Sequence, residues 1–255
     1  MDTARTLSDT KRSFYTLHTR PINSIYRQVV EEMLVEMHLL SVNADFHYEP
    51  IYALGVVTSF DRFMQGYQPE RDKESIFNAI CQAIGSDPQQ YRQDAERLLA
   101  LVDHESSEEV VSWLTSGKPL DGAGDLNESL QAITNNPKFK YSRLFAIGLY
   151  TLLERADEEL VKDEKRCKEV LKQCCETLHI SFEKMEKDLD LYRGNLEKME
   201  QARSVLEDTV KADRKQREKR AQKREQAAAS DQTFPDSSED SNPPKKDEAS
   251  SFWKL

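Results

Sequence analysis

A stripe of apolar side chains constrains the C-terminal part of this chain more than any other feature. From residue 181 onward, positions three and four apart are apolar at eight of nine places. The stripe consists of Phe182, Met185, Leu189, Tyr192, Leu196, Met199, Arg203, Leu206 and Val210. So narrow a heptad pattern is typical of a coiled-coil-type helix, not of a broad core-facing one. It predicts one long helix that continues through a charged run to residue 226.

The preceding residues also predict helices. Eight glycines and nine prolines in 255 residues are too few for the many tight turns of a β-rich protein. Between Ile22 and Leu40 apolar residues recur at helical spacing, which predicts a helix with Pro21 in its first turn. A long helix is predicted from Tyr141 to Leu178, and no segment alternates as a strand would. The fold class is therefore all-α.

Changes in composition divide the chain into four parts. Residues 1–7 are expected to form a flexible N-terminus, and residues 8–180 a compact multi-helix domain. Residues 181–226 form the long heptad helix with a basic end. Residues 227–255 are rich in Ser, Asp, Pro and Lys, which predicts a disordered acidic tail.

The charge distribution restricts the partners. A formal net charge of −10 argues against a general nucleic-acid binder. Residues 211–225 nevertheless hold eight Lys or Arg against three acids, a run that suits an anionic lipid surface or an acidic protein. The sequence shows no membrane-spanning apolar run, signal peptide or transit peptide. The four cysteines are expected to be reduced thiols.

No catalytic motif accompanies these features. The chain lacks G-x-S-x-G, and its glycine-rich stretch at 118–125 is not a phosphate loop. We therefore expect neither enzymatic activity nor a cofactor. Glu176 and His179 have the Glu-x-x-His spacing of helical metal sites, but the sequence contains one such pair where these sites need more ligands. A helical metal-binding protein remains an alternative.

Polar residues lie unusually close to aromatic ones between residues 8 and 69. Arg20 and Arg62 are interpreted as pairing with acids that close the N-terminal helices, although a binding role is the alternative for the whole set. The candidates are His18, Arg20, Pro21, Asn23, Arg27, Asp61 and Arg62.

Three blocks of the sequence resemble the thylakoid formation protein family, also described as photosystem II biogenesis and repair proteins. The first block, residues 8–43, begins SDTKRSFYTLHTRPINSIYRQ. The second block, residues 48–69, reads YEPIYALGVVTSFDRFMQGYQP, and the third, residues 187–202, reads KDLDLYRGNLEKMEQA. With the helical middle, the resemblance covers about residues 4 to 210.

The resemblance implies an all-helical, non-enzymatic protein that works at the thylakoid membrane of an oxygenic phototroph. It further implies association with FtsH-type AAA+ proteases, which degrade damaged photosystem II subunits. Without an import peptide, the chain looks like a cyanobacterial member on the cytoplasmic, stromal-equivalent side, and peripheral contact with the thylakoid membrane is compatible with this. The alternative is a membrane-surface or coiled-coil adaptor with no protease role.

The long helix is the leading candidate for engaging a partner. Its stripe could pack into another helix or back onto the helical domain, and Tyr192 and Arg203 on the seam argue for a monomer over a symmetric dimer. The candidate partner-binding residues are Phe182, Met185, Leu189, Tyr192, Arg193, Asn195, Leu196 and Met199.

Overall fold

The computed structural model describes residues 5–230, which fold into helices and contain no strand. In this part of the chain the helices number eleven. Their bounds are α1 Leu7–Leu17, α2 Ser24–Ser41, α3 Pro50–Phe63, α4 Asp72–Ala83, α5 Pro88–His104, α6 Ser107–Ser116, α7 Asp125–Thr134, α8 Arg143–Ala156, α9 Glu158–Lys162, α10 Glu164–Thr177 and α11 Phe182–Ser230. The all-α prediction with a long C-terminal helix is confirmed. Most of the predicted acidic tail, from residue 231, lies outside the described residues.

Two buried apolar clusters fill the part of the chain that ends at Ser204. The first cluster draws mainly on α1 to α4 and also includes Tyr91 of α5 and Leu144 of α8. The second draws mainly on α5 to α10 and the first turns of α11, and it also includes Ile51 and Leu54 of α3. Helices α3 and α8 are buried on nearly every side, and all ten residues from Leu144 to Leu153 are buried. Helices apolar all round belong at the centre of a domain, so α3 and α8 form its central pair.

The central pair crosses at two glycines. A Cβ atom added to Gly55 would lie 1.7 Å from the backbone oxygen of Leu144, and one added to Gly148 would lie 1.9 Å from that of Ile51. Neither distance is compatible with a carbon atom, because non-bonded heavy atoms keep about 3.5 Å apart. Only glycine permits this backbone contact.

Two predicted helices differ from the observed ones. The segment predicted as one helix from Tyr141 to Leu178 is three helices, because Asp157 and Asp163 each cap a new one with their side-chain oxygens. Helix α2 starts after Pro21, at Ser24, because the Asn23 side chain accepts from the backbone N–H of Ile25 at 3.2 Å.

Helix α6 begins with a capping box. Ser106 Oγ accepts from the backbone N–H of Glu109, and the Glu109 carboxylate accepts from the backbone N–H of Ser106. The helix ends at Gly117, where φ is +66°.

None of the described helices combines the length and the apolar character that a membrane span needs.

Candidate functional site

Residues of the first block hold the N-terminal helices together. His18 is 2% exposed, and its Nδ1 lies 3.0 Å from the Ser75 hydroxyl. Burial, together with the nearby Arg20 guanidinium, lowers the pKa of His18 below its usual value. Arg20 Nε lies 3.1 Å from Oδ2 of the buried Asp72 at the start of α4. Both contacts join the end of α1, or the turn after it, to α4.

Of the remaining polar candidates, Arg62 and Asp61 form ion pairs with other helices, and Pro21 and Arg27 lie at the surface. Arg62 forms an ion pair with Glu154 of α8, a helix of the chain's middle and not an N-terminal one. Asp61 accepts from Arg92 at 2.8 and 3.0 Å, and the Arg92 guanidinium lies 4.2 Å from the centre of the Phe77 ring. Pro21 and Arg27 are exposed. No ion pair to a described residue involves Arg27.

The first half of the apolar stripe is part of the chain's own core. Met185, Leu189 and Tyr192 are 0–2% exposed, and the Tyr192 ring meets the Phe63 ring edge-on at 5.6 Å. Phe182 and Leu196 are partly buried against the second cluster. Burial removes Met185, Leu189 and Tyr192 from any surface open to a partner, so this part of the stripe packs in cis.

Polar contacts that the sequence did not suggest also hold α11 to the domain. The Tyr141 hydroxyl donates to Asp188 Oδ2 at 2.9 Å, and Lys168 Nζ lies 3.1 Å from Glu186 Oε1. The Arg193 guanidinium lies 4.8 Å from the centre of the Tyr150 ring. Arg193, a partner-binding candidate, therefore contacts α8.

A cavity of about 320 Å³ lies where α2, α3, α8 and α11 meet. Its walls are largely apolar, and they include Val29, Met33, Phe63, Ile147 and Met199. All three blocks that carry the family resemblance contribute to it. Two partner-binding candidates, Asn195 and Met199, are partly buried and line the cavity.

The mouth of the cavity carries balanced charges. Glu36 of α2 forms an ion pair with Arg143 of α8, with Oε2 and Nη2 2.5 Å apart. Glu32 and Lys198 also line it, and neither is ion-paired with a described residue. Two acids and two bases leave the mouth without net charge.

Apolar side chains of α11 are exposed outside the cavity. Leu191 is 48% exposed, and Val205 and Val210 are 66% and 59% exposed. The basic run begins at Lys211, one residue after Val210. An apolar position thus adjoins a strongly basic segment on one helix.

The cysteines and His179 have structural roles. All four cysteines are buried, and burial raises the pKa of Cys174 to about 12 and that of Cys175 to about 11, which suppresses the reactive thiolate. His179 has φ +54° directly after α10, where the Ile180 N–H donates to the Cys175 carbonyl at 2.9 Å. Among the described residues, no cluster of three His, Cys, Asp or Glu could hold a metal ion.

Comparison with known proteins assigns the family. The family model described as thylakoid formation protein matches residues 6–221. Protein Thf1 of Trichormus variabilis is 64% identical over 222 residues, which cover 87% of this chain and 95% of the relative. Protein Thf1 of Nostoc punctiforme is 63% identical over the same length, covering 87% and 94%.

A solved structure of Psb29 is similar as well. It superimposes with a TM-score of 0.71 at 45% sequence identity, covering 84% of this chain and 98% of that one. The family match, the identities and the shared fold agree over most of residues 6–221. This chain belongs to the thylakoid formation protein family.

Proposed function

We propose that this chain is a non-enzymatic accessory protein of photosystem II assembly and repair, which binds and stabilises an FtsH-type membrane protease complex. Family membership supports the coarser role in thylakoid biogenesis and photosystem II. The protein would act as a monomer at the cytoplasmic, stromal-equivalent face of the thylakoid membrane. Its contribution is association with other proteins and not chemistry on a substrate.

The observation that carries the proposal is the exposed apolar and basic part of α11. Val205 and Val210 expose more than half of their surface, and eight basic residues follow within residues 211–225. An amphipathic helix with apolar anchors and a basic flank is a common docking element. The buried residues of the stripe hold α11 to the domain, which leaves the residues from Val205 onward as the proposed contact.

Point variants of the full chain test this contact, because a truncation before Tyr192 would open the core. Val210→Glu places a charge on the apolar contact, and Gln201→Glu adds the same charge at an exposed position of the same helix that precedes the proposed contact. Tagged chains would be used to purify the protease complex from thylakoid membranes, with the protease subunits quantified by mass spectrometry. We expect V210E to reduce protease recovery at least about tenfold, since a buried unpaired charge costs more than 1.4 kcal/mol.

The control defines the outcome that contradicts the proposal. Q201E should recover the protease as well as the unaltered chain does. Equal recovery with both variants would exclude Val210 as an anchor. Absence of the protease from every preparation, including that of the unaltered chain, would remove the protease role and favour an adaptor with another partner.

A further inference from the structure

We propose that the cavity between α2, α3, α8 and α11 binds an uncharged, lipid-like small molecule through Ser59 and Asn195. The ligand would bind the helical domain, and its binding does not depend on protease binding.

The size and the walls suit a small apolar ligand. Ligand pockets range from about 300 to 1,000 Å³, so a cavity of about 320 Å³ belongs at the small end. That volume equals the space of about ten liquid water molecules. Met33, Phe63 and Met199 supply apolar surface, and methionine side chains adapt to irregular ligand shapes.

Three uncharged polar side chains in the lining make no hydrogen bond to a described residue: Ser59, Tyr192 and Asn195. Ser59 is 1% exposed, and its hydroxyl has no hydrogen-bond partner among the described residues. A buried hydroxyl without a partner costs about 1–3 kcal/mol. Asn195, half-buried on α11, likewise makes no hydrogen bond to a described residue. A ligand oxygen would satisfy Ser59, Asn195 or both, because each can donate as well as accept.

The charges at the mouth favour a neutral head group. Arg143 is already paired with Glu36, and the remaining pair of opposite charges, Glu32 and Lys198, cancels. A carboxylate ligand would meet the two glutamates, and an ammonium ligand would meet Arg143 and Lys198. A neutral alcohol, ester or ketone on an apolar chain or ring meets neither repulsion. We therefore assign the site to neutral oxygen-bearing lipids.

Three probes that share the same alkyl chain and differ in the charge of the head group test this assignment. Titration calorimetry and thermal unfolding of the full chain would compare 1-decanol below its solubility limit with decanoate and decylammonium below their micelle concentrations. We expect decanol to bind and to raise the melting temperature, with the two charged probes at least about tenfold weaker. A charged probe that binds as tightly as decanol would overturn the neutral-ligand assignment.

Two variants place the ligand in the cavity. Ala202→Phe fills the mouth and should abolish decanol binding, whereas Gln201→Phe adds the same ring at the exposed neighbouring position and should retain it. Ser59→Ala should weaken decanol binding about three- to tenfold, and Ser204→Ala, on exposed α11, should not.

A second readout distinguishes binding from a structural role of Ser59. The ligand-free S59A protein should melt no lower than the unaltered chain, because the hydroxyl has no partner to lose. Lower thermal stability with unchanged decanol affinity would overturn the role assigned to Ser59. Failure of decanol to bind the unaltered chain would overturn the whole proposal.

Discussion

The domain holds its helices in two opposite ways. One is the crossing of α3 and α8, and the other is the seat of α11, by which we mean the surface on which the first turns of α11 pack. At Gly55 and Gly148 the backbones of α3 and α8 touch, with no room for a methyl group. Helix α11 is held instead by long side chains such as Leu189 and Tyr192, beside a cavity of about 320 Å³. The first arrangement fixes the domain rigidly, and the second leaves space that a ligand can fill.

The largest expected effect is at the crossing. Gly148→Ala would force its new carbon into the Ile51 carbonyl, so α3 and α8 would have to separate. Overpacking usually costs about 1–3 kcal/mol. A clash with backbone atoms of the neighbouring helix should cost about 4 kcal/mol or more, a large fraction of a typical domain's stability. Urea unfolding would measure the loss.

Gly194 on α11 is the matched control for this comparison. A Cβ atom there meets nothing within 4 Å, so Gly194→Ala should stabilise the chain by about 0.5–1 kcal/mol through helix propensity. Equal and small effects of G148A and G194A would show that the crossing is not in backbone contact.

The second prediction concerns the seat of α11. Leu189→Ala should cost about 2–4 kcal/mol, because it removes a core side chain that is 1% exposed. The neighbouring Leu191 is 48% exposed, so Leu191→Ala should change the unfolding free energy by less than about 0.5 kcal/mol. A comparable loss in both variants would argue that α11 is not docked through its stripe.

Helical periodicity predicted much of this fold, and it did so because burial follows the helical repeat. The spacing from Ile22 to Leu40 predicted α2, but it could not reveal that Asp157 and Asp163 interrupt the segment after Tyr141. A capping carboxylate looks like any surface charge in sequence. Gly55 and Gly148 were missed for a related reason, since their role depends on the backbone of another helix.

The candidate site was less predictable than the fold. A heptad stripe has the same pattern whether it faces a partner or the chain's own core, so Met185 and Leu189 could not be placed from sequence. Asp61 and Arg62 have long-range partners in α5 and α8, which periodicity does not report. The cavity combines four helices and was not foreseeable, although Asn195 and Met199 were already among the candidates.

The two regions also differ in how they hold a carboxyl group. Where α11 packs on the domain, Asp188 accepts a hydrogen bond from Tyr141, whereas the start of α3 buries a carboxyl oxygen without a partner among the described residues. Glu49, directly before α3, is 6% exposed, and Oε2 has no partner among the described residues. Burial raises the pKa of Glu49 well above its usual 4.5. The folded state therefore keeps a proton that the unfolded state releases, and stability falls as pH rises above about 4.5.

Glu49→Gln should remove this pH dependence. We expect the variant to match the unaltered chain near pH 4 and to exceed its unfolding free energy by more than about 1 kcal/mol at pH 8. Glu96→Gln, at an exposed position of α5, is the control and should show no such divergence. Parallel stability curves for E49Q and the unaltered chain would contradict a raised pKa. Denaturant unfolding at pH steps from 4 to 8 provides the measurement.

The smallest expected effect concerns the C-terminal ends of α4 and α10, which have the same backbone conformation. After α4, the Ser86 N–H donates to the Cys81 carbonyl around Gly85, whose φ is +85°. After α10, the Ile180 N–H donates to the Cys175 carbonyl around His179, whose φ is +54°. Side chains with a Cβ are strained in this conformation by about 1–2 kcal/mol, whereas glycine adopts it freely.

His179→Gly should therefore stabilise the chain by about 1 kcal/mol, and Gly85→Ala should destabilise it by a similar amount, both measured by thermal unfolding. The gain would identify His179 as a residue tolerated at a helix end at some cost in stability. A loss of stability in H179G would instead mean that the imidazole makes a contribution outweighing its backbone strain. Because α10 leads directly into the seat of α11, a firmer end at residue 179 should also strengthen the docking of Met185 and Leu189.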